Sequence, residues 1–385
     1  MPLDEAAIFE LPDATRELRE TALAFARDRL APHAQEWDER RHFPVDAMRE
    51  AAALGMAGLY VREESGGAGL SRLDAAVVFE ALATGCPTVS AFLSIQNMVA
   101  WMVDSFGNDA QRAQWLPGLL SMEVVASYCL TEPGSGSDAA ALATRAVRDN
   151  EGYVVNGAKQ FISGAGVSEL YLTMVRTGGP GAGGVSALLV PKGTPGLSFG
   201  ANEKKMGWNA QPTRQVIFED ARVPAAALLG EEGQGFRFAM AGLDGGRLNI
   251  GACSLGGAQR ALDIALAYVQ ERSAFGRRIG EFQATQFRLA DMVTELEAAR
   301  TLLWRACAKL DAKAPDATAF CAMAKRFATD TGFQVADEAL QLLGGYGYLA
   351  DYGIERIVRD LRVHRILEGT NEIMRLIVAR QLLGR

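Results

Sequence analysis

The sequence predicts an α+β chain of several domains, ordered as an N-terminal helical domain, a middle β domain and a C-terminal helical bundle. Three observations predict it. Apolar residues recur at helical spacing before about residue 124. Short β-prone runs separated by Gly- and Pro-rich turns then take over, and near Gly233 helical spacing returns and stays. The expected boundaries are 1–123, 124–232 and 233–385. Strands and helices do not alternate strictly, which argues against a doubly wound sheet. No G-x-G-x-x-G follows a strand near the N-terminus, so a nicotinamide Rossmann domain is not expected.

The first element is a helix over residues 15–30, with Leu18, Ala22, Phe25 and Ala26 at helical spacing and Pro32 as the stop. Asp46 is placed to cap a helix that runs to Leu54 and ends at Gly55. EESGGAG at 63–69 reads as a loop, a new helix starts near Arg72, and the apolar segment 90–106 is expected to be buried. Five β runs follow, at 124–130, 153–156, 170–175, 185–190 and 215–218, with turns such as GGPGAGG between them. This spacing predicts an antiparallel barrel or sandwich. In the last third, Leu255, Ala258, Leu262, Ala265 and Val269 form one apolar stripe. Met292, Leu296, Ala299, Leu303 and Ala306 form another, and Pro315 separates two long helices.

With 385 residues, 49% of them hydrophobic, the chain can bury a large core. A net charge of -7 argues against nucleic acid as a partner. The cysteines, 86, 129, 253, 307 and 321, form no C-x-x-C pair, and three histidines do not complete a zinc motif, so no metal site is expected. Reduced buried thiols suit a reducing compartment. The acidic start resembles no targeting peptide and no stretch nears 18 uncharged apolar residues, so a cytoplasmic protein without a membrane span is expected.

Three segments carry chemistry. RILEGTNEIMR at 365–375 sets Glu368 beside Gly369, whose backbone freedom lets a ligand approach the main chain closely. Glu368 is therefore a candidate base, with Glu372 as its local rival four residues later. YCLTEPGSGSD at 128–138 leads a β run into a loop in which Gly134 and Gly136 allow N–H groups to converge on an anion, with Ser135 and Ser137 adding hydroxyls. LLGGYGYL at 342–349 is a third glycine turn. A mobile surface turn is the plain alternative for 128–138, and a charge at a helix N-terminus is the plain alternative for Glu368 and Glu372.

Together these segments resemble the acyl-CoA dehydrogenases, and the resemblance runs through nearly the whole chain. It implies the fold of that family, with a four-helix bundle at the C-terminus, and FAD as cofactor. Tyr128, Cys129, Leu130, Thr131, Gly136 and Ser137 would line FAD, Ser137 touching substrate as well. Phe161, Ile162 and Ser163 would face the isoalloxazine ring; many relatives carry tryptophan in place of Phe161. Arg272, Phe282 and Gln283, and the turn Gln341, Leu342, Gly344, Gly345, would reach FAD of a neighbouring subunit, which implies a homotetramer. Thr370, Asn371 and Glu372 would complete the cofactor side, and Asp244, Arg247, Gly369 and Arg380 would meet substrate. Some members carry their catalytic glutamate at the position of Gly246, so here the resemblance assigns it to Glu368.

The implied activity is FAD-dependent α,β-dehydrogenation of a short branched acyl-CoA, isobutyryl-CoA to methacrylyl-CoA in valine catabolism. Glu368 would take the α-proton and flavin N5 the β-hydride, and an electron-transfer flavoprotein would accept the electrons. A 2-methylbutyryl-CoA or short straight-chain preference, an acyl-CoA oxidase, and a non-catalytic flavin-binding protein remain open alternatives.

Overall fold

The computed structural model describes residues 11–384. Helix α1 (Asp13–Phe25) runs into a π-helical turn at Ala26–Leu30, and α2 (Ala34–Arg40) follows Pro32. In α3 (Val45–Ala53) Asp46 does not cap: it sits in the first turn and pairs with Arg49, while Pro44 opens the helix. Gly55 ends that segment at φ 81, a conformation that favours glycine. Helix α4 (Arg72–Gly85) starts from a reciprocal cap between Ser71 and Asp74. Helix α5 (Pro87–Phe106) begins on a proline at its first turn and is buried along most of its length, and α6 (Asp109–Ser121) leads to the sheet.

The strands are β1 (Ala126–Cys129), β2 (Arg145–Arg148), β3 (Gly152–Ser163), β4 (Leu170–Arg176), β5 (Val185–Pro191), β6 (Leu197–Phe199), β7 (Thr213–Pro224) and β8 (Leu228–Leu229). They join one sheet in the order β6-β7-β3-β2-β4-β5-β8, with β1 on β4. The expectation of a wholly antiparallel sheet is corrected at two places, because β1 and β2 each lie parallel to β4. Alternation within a strand says which face is buried, not which strand lies beside it or in which direction. The short strands β2 and β6 escaped notice because β2 buries one side chain and β6 none. The run at 153–156 is the first third of a 12-residue strand, whose alternation is broken at two register shifts.

The C-terminal third holds α7 (Gly235–Glu271), a small hairpin of β9 (Ser273–Ala274) and β10 (Arg277–Arg278), α8 (Gln283–Asp311), α9 (Ala317–Leu343), α10 (Ile354–Arg362) and α11 (Asn371–Leu382). Both predicted apolar stripes are buried in full. One apolar core draws on α1, α3, α4 and α5 as well as on α7 to α10, so the two helical ends pack as neighbours. A second core joins α5 and α6 to β1, β4, β5 and the start of α7. The chain between α10 and α11 is thereby laid across α7 and α9.

Candidate active site

Glu368 does not lie on α11. It precedes that helix in a left-handed turn, with φ 58 at Glu368 and φ 90 at Gly369. A glutamate held there costs roughly 1–2 kcal/mol, so its surroundings must impose the geometry. Arg247 Nε donates to the Glu368 carbonyl at 3.3 Å, and Lys325 Nζ donates to the Gly369 carbonyl at 2.8 Å. Thr370 caps α11 by accepting from the Ile373 N–H, and Asn371, buried, donates to Thr329 and Asp330. Glu372 therefore shares no helical turn with Glu368. It is an exposed acid in the first turn of α11, held below the usual carboxylate range by its backbone N–H and Thr370.

The Glu368 residue is half-buried, but its Oε2 is shut off from solvent and has no hydrogen-bond partner. Burial pushes the carboxyl up to about 7, against the opposing pull of Arg247 and Lys325. No acceptor meets the Glu368 N–H among the described residues. Tyr128, on β1, places a second unpartnered buried oxygen nearby, and the charge of Glu368 adds to the burial that raises its phenol.

The space for the carboxyl is made by α7. A Cβ at Gly246 would stand 2.9 Å from Glu368 Cδ and closer still to Oε2. Position 246 and position 368 thus compete for one place, and glycine at 246 cedes it. We predict that Gly246→Ala keeps the fold and displaces the carboxyl, lowering kcat about a hundredfold. Parent-like kcat in that variant would show that the carboxyl works from elsewhere. One residue on, Arg247 pairs with Asp244 at 2.6 Å, and Thr318 donates to the other Asp244 oxygen at 2.7 Å. Asp244 thus orients Arg247, which holds the turn.

Tyr60, Arg72, Asn249 and Lys325 also belong to this cluster, and the sequence reading missed all four. Arg72 lies 3.7 Å over the Tyr60 ring and 4.9 Å from that of Trp101, against Gly245. Asn249 donates to the Tyr60 hydroxyl at 3.1 Å. A signal for Lys325 was present: Cys321, Ala324 and Ala328 lie at helical spacing around it and are buried, so a lysine sits where a core residue belongs. Of the others, Tyr60 comes from a loop, Arg72 from the start of α4 and Asn249 from within α7, and periodicity does not join them.

The residues expected along FAD lie on β1, in the loop after it, at the end of β3 and at the start of α11. Strand β1 pairs only with β4, so its far edge keeps backbone groups out of the ladder. Cys129 and Leu130 point into cores, while Tyr128 and Thr131 are half-buried. The glycine argument for the loop after β1 is corrected. Gly134 and Gly136 have ordinary backbone, and an added Cβ would meet nothing within 4 Å at either. Glu132 shapes the loop instead, accepting from the backbone N–H groups of Ala143 and Thr144 and from Lys159. Ser137 is exposed at the loop tip. Phe161 is 64% exposed at φ 59, at the second register shift of β3, between buried Gln160 and Ile162, with Ser163 half-buried beside them. A bulge that turns a phenyl outward, with the free edge of β1 and two orphaned oxygens, fits a flat ring with polar edges.

Arg272, Phe282, Gln283, Gln341, Leu342, Gly344 and Gly345 lie on a different face. Arg272, exposed, stands 5.5 Å over the Tyr346 ring, at the turn that follows Gly345. Phe282 is edge-on to Phe275, which is 96% exposed. No contact joins this group to Glu368 within one chain among the described residues. Arg380 is exposed near the far end of α11, away from the Glu368 turn.

Comparison with known proteins extends these observations. Three family profiles match in order: Acyl-CoA dehydrogenase, N-terminal domain, at 12–123; middle domain at 127–221; and C-terminal domain at 233–383. Isobutyryl-CoA dehydrogenase, mitochondrial, of Dictyostelium discoideum is 56% identical over 97% of this chain and 90% of its own. The butyryl-CoA dehydrogenase of Megasphaera elsdenii superposes with a TM-score of 0.94 at 36% identity, over 97% of this chain and 99% of that one. The structure of PigA with FAD and proline does so at 0.94 and 32%, covering 97% and 98%.

Proposed function

The chain belongs to the acyl-CoA dehydrogenase family, and from that premise we propose that Glu368 removes the α-proton of a short branched acyl-CoA, isobutyryl-CoA being converted to methacrylyl-CoA. The chain is an enzyme of this family and FAD is its cofactor. When bound, FAD supplies the hydride acceptor at the β-carbon.

The observation that carries the assignment is the buried, unpartnered Glu368 Oε2, raised to about 7 and given room by Gly246. An ordinary carboxylate is too weak a base for a thioester α-proton, and burial narrows that mismatch. The Glu368 N–H, which has no acceptor among the described residues, would donate to the thioester oxygen and stabilise enolate charge as it develops. The same side chain and backbone unit would thus take the proton and hold the charge. Arg247, Asp244 and Gly369 act on this turn, and we place the Tyr128–Ser137 segment, Phe161–Ser163 and Thr370–Glu372 along the cofactor. Arg380 is placed on the substrate side only by family likeness.

We further propose that Arg272, Phe282, Gln283 and the Gln341–Gly345 turn complete the FAD site of a second copy within a homotetramer. Their shared exposed face, with Phe275 and Tyr348 open to solvent, supports this. A monomeric mass for the FAD-loaded protein in solution would remove that part. Electrons leave to an electron-transfer flavoprotein in this reading. No helix among the described residues is long and apolar enough to cross a membrane. The cytoplasmic location read from the sequence stays a proposal beside the mitochondrial name of the Dictyostelium relative.

The test is anaerobic flavin bleaching with isobutyryl-, 2-methylbutyryl-, butyryl- and octanoyl-CoA. The expected result is the highest kcat/KM with isobutyryl-CoA, and preference for another chain reassigns the substrate. Because the base must be ionised, the bleaching rate should rise with pH through about 7. A rate flat from pH 5 to 8 would contradict a raised carboxyl. Peroxide formed in air at the rate of turnover would identify an oxidase.

A further inference from the structure

The left-handed pair Glu368–Gly369 is clasped from two helices. Each of its carbonyls accepts from a buried cation: Glu368 from Arg247 on α7 at 3.3 Å, Gly369 from Lys325 on α9 at 2.8 Å. The cations differ in their other partners. Arg247 has the carboxylate of Asp244. Lys325, 0% exposed, donates otherwise only to Asn371 Oδ1, at 2.9 Å, and no carboxylate lies at ion-pair distance from it among the described residues. A wholly buried ammonium served by neutral oxygens is costly, and the structure keeps it against the turn that carries the base.

We propose that Lys325 is a positioning residue for the reaction: from α9 it locks the Glu368–Gly369 turn so that the carboxyl is presented at Gly246, and it sets a positive charge beside that carboxyl. The inference rests on Glu368 being the base. Tyr60, Tyr128 on β1, Arg247 and Cys253 on α7, and Lys325 on α9 face the Glu368 carboxyl. Burial raises the two phenols and the thiol and so keeps them neutral, which leaves Arg247 and Lys325 as the charges. Lys325 itself faces Glu368, Arg247, Asp330 and Glu372. Burial brings Lys325 down to about 7 and Glu368 up to about 7, so each helps the other to stay charged. Without Lys325 the carboxyl climbs further, and a higher pH is needed to ionise it.

The experiment uses FAD-loaded Lys325→Met and Lys325→Gln beside Glu368→Gln. Both Lys325 variants should keep FAD and a near-parental KM. Methionine should lower kcat about a hundredfold through misplacement of the base. Glutamine, which can still donate to the Gly369 carbonyl, should lose less. Both should move the acid limb of the bleaching profile up by about one pH unit or more. Infrared spectra give a readout without turnover: the protonated-carboxyl band missing in Glu368→Gln should titrate at higher pH in both variants. Should the methionine variant fail to fold, glutamine carries the same readouts. A folded variant with band and limb unmoved overturns the proposal, even where its thermal stability falls. If Glu368→Gln bleaches normally, the base assignment itself fails. If that variant is silent while the Lys325 variants match the parent, only this inference fails.

Discussion

Glu368→Gln loses acyl-CoA-driven flavin bleaching by about a thousandfold to ten-thousandfold, and keeps both FAD and acyl-CoA binding. The reason is local. Glutamine occupies nearly the same volume, so the place ceded by Gly246 stays filled, and Arg247 still donates to the carbonyl at 368. What disappears is the ionisable oxygen. Thermal stability should stay level or rise slightly, because Oε2 has no hydrogen bond to lose and burial penalises its charge. Stopped-flow bleaching under anaerobic conditions reads the loss, and the protein-bound absorbance of FAD reads retention. Bleaching within tenfold of the parent would move the base elsewhere, and Glu372, solvent-exposed on α11, is poorly placed to take over.

Lys159→Met destabilises the fold by about 3–5 kcal/mol and weakens FAD retention. Lys159 is fully buried and donates to Glu132 at 2.7 Å and to the Leu130 carbonyl at 3.2 Å. Burial alone would raise the Glu132 carboxyl. The charge and hydrogen bond of Lys159, with the N–H groups of Thr144 and Ala143, hold it below the usual carboxylate range instead. Removing the lysine strands a buried carboxylate at the root of the loop that follows β1. The urea midpoint should fall, and FAD should dissociate during gel filtration. Adding Glu132→Gln should restore much of the stability, since the stranded charge is then gone, although the two backbone N–H groups lose their ionised acceptor. An unchanged midpoint for Lys159→Met alone would mean that the pair contributes nothing net.

Legibility followed physical range. Helices announced themselves because residues 3 and 4 apart share a face, so the stripes of α7 and α8 were read correctly residue by residue. Five strands of the sheet were located but their neighbours were not: the parallel pairing of β1 with β4 joins Ala126 to Leu170, and no local pattern encodes that. The register shifts in β3 hid the burial of Lys159 and the outward turn of Phe161, because a bulge reverses the inside–outside count. The helix cap assigned to Asp46 failed because the chain began its helix one residue earlier, on the proline side. The glycine loop at 134–136 was credited with a shape that Glu132 imposes from a distance.

The sequence by itself determined the order of helical and β segments and the family, and it excluded position 246 as a base, since glycine has no side chain. Only the tertiary structure decided the surroundings of the Glu368 carboxyl. Its left-handed turn, its unpartnered oxygen and the cations that hold it come from α7, α9 and β1, segments separated from it by 43 to 240 residues. Burial and Coulomb forces act through space and have no period along the chain. Two glycines and a lysine of ordinary local sequence therefore acquire their meaning only when the helices bring them against one acid.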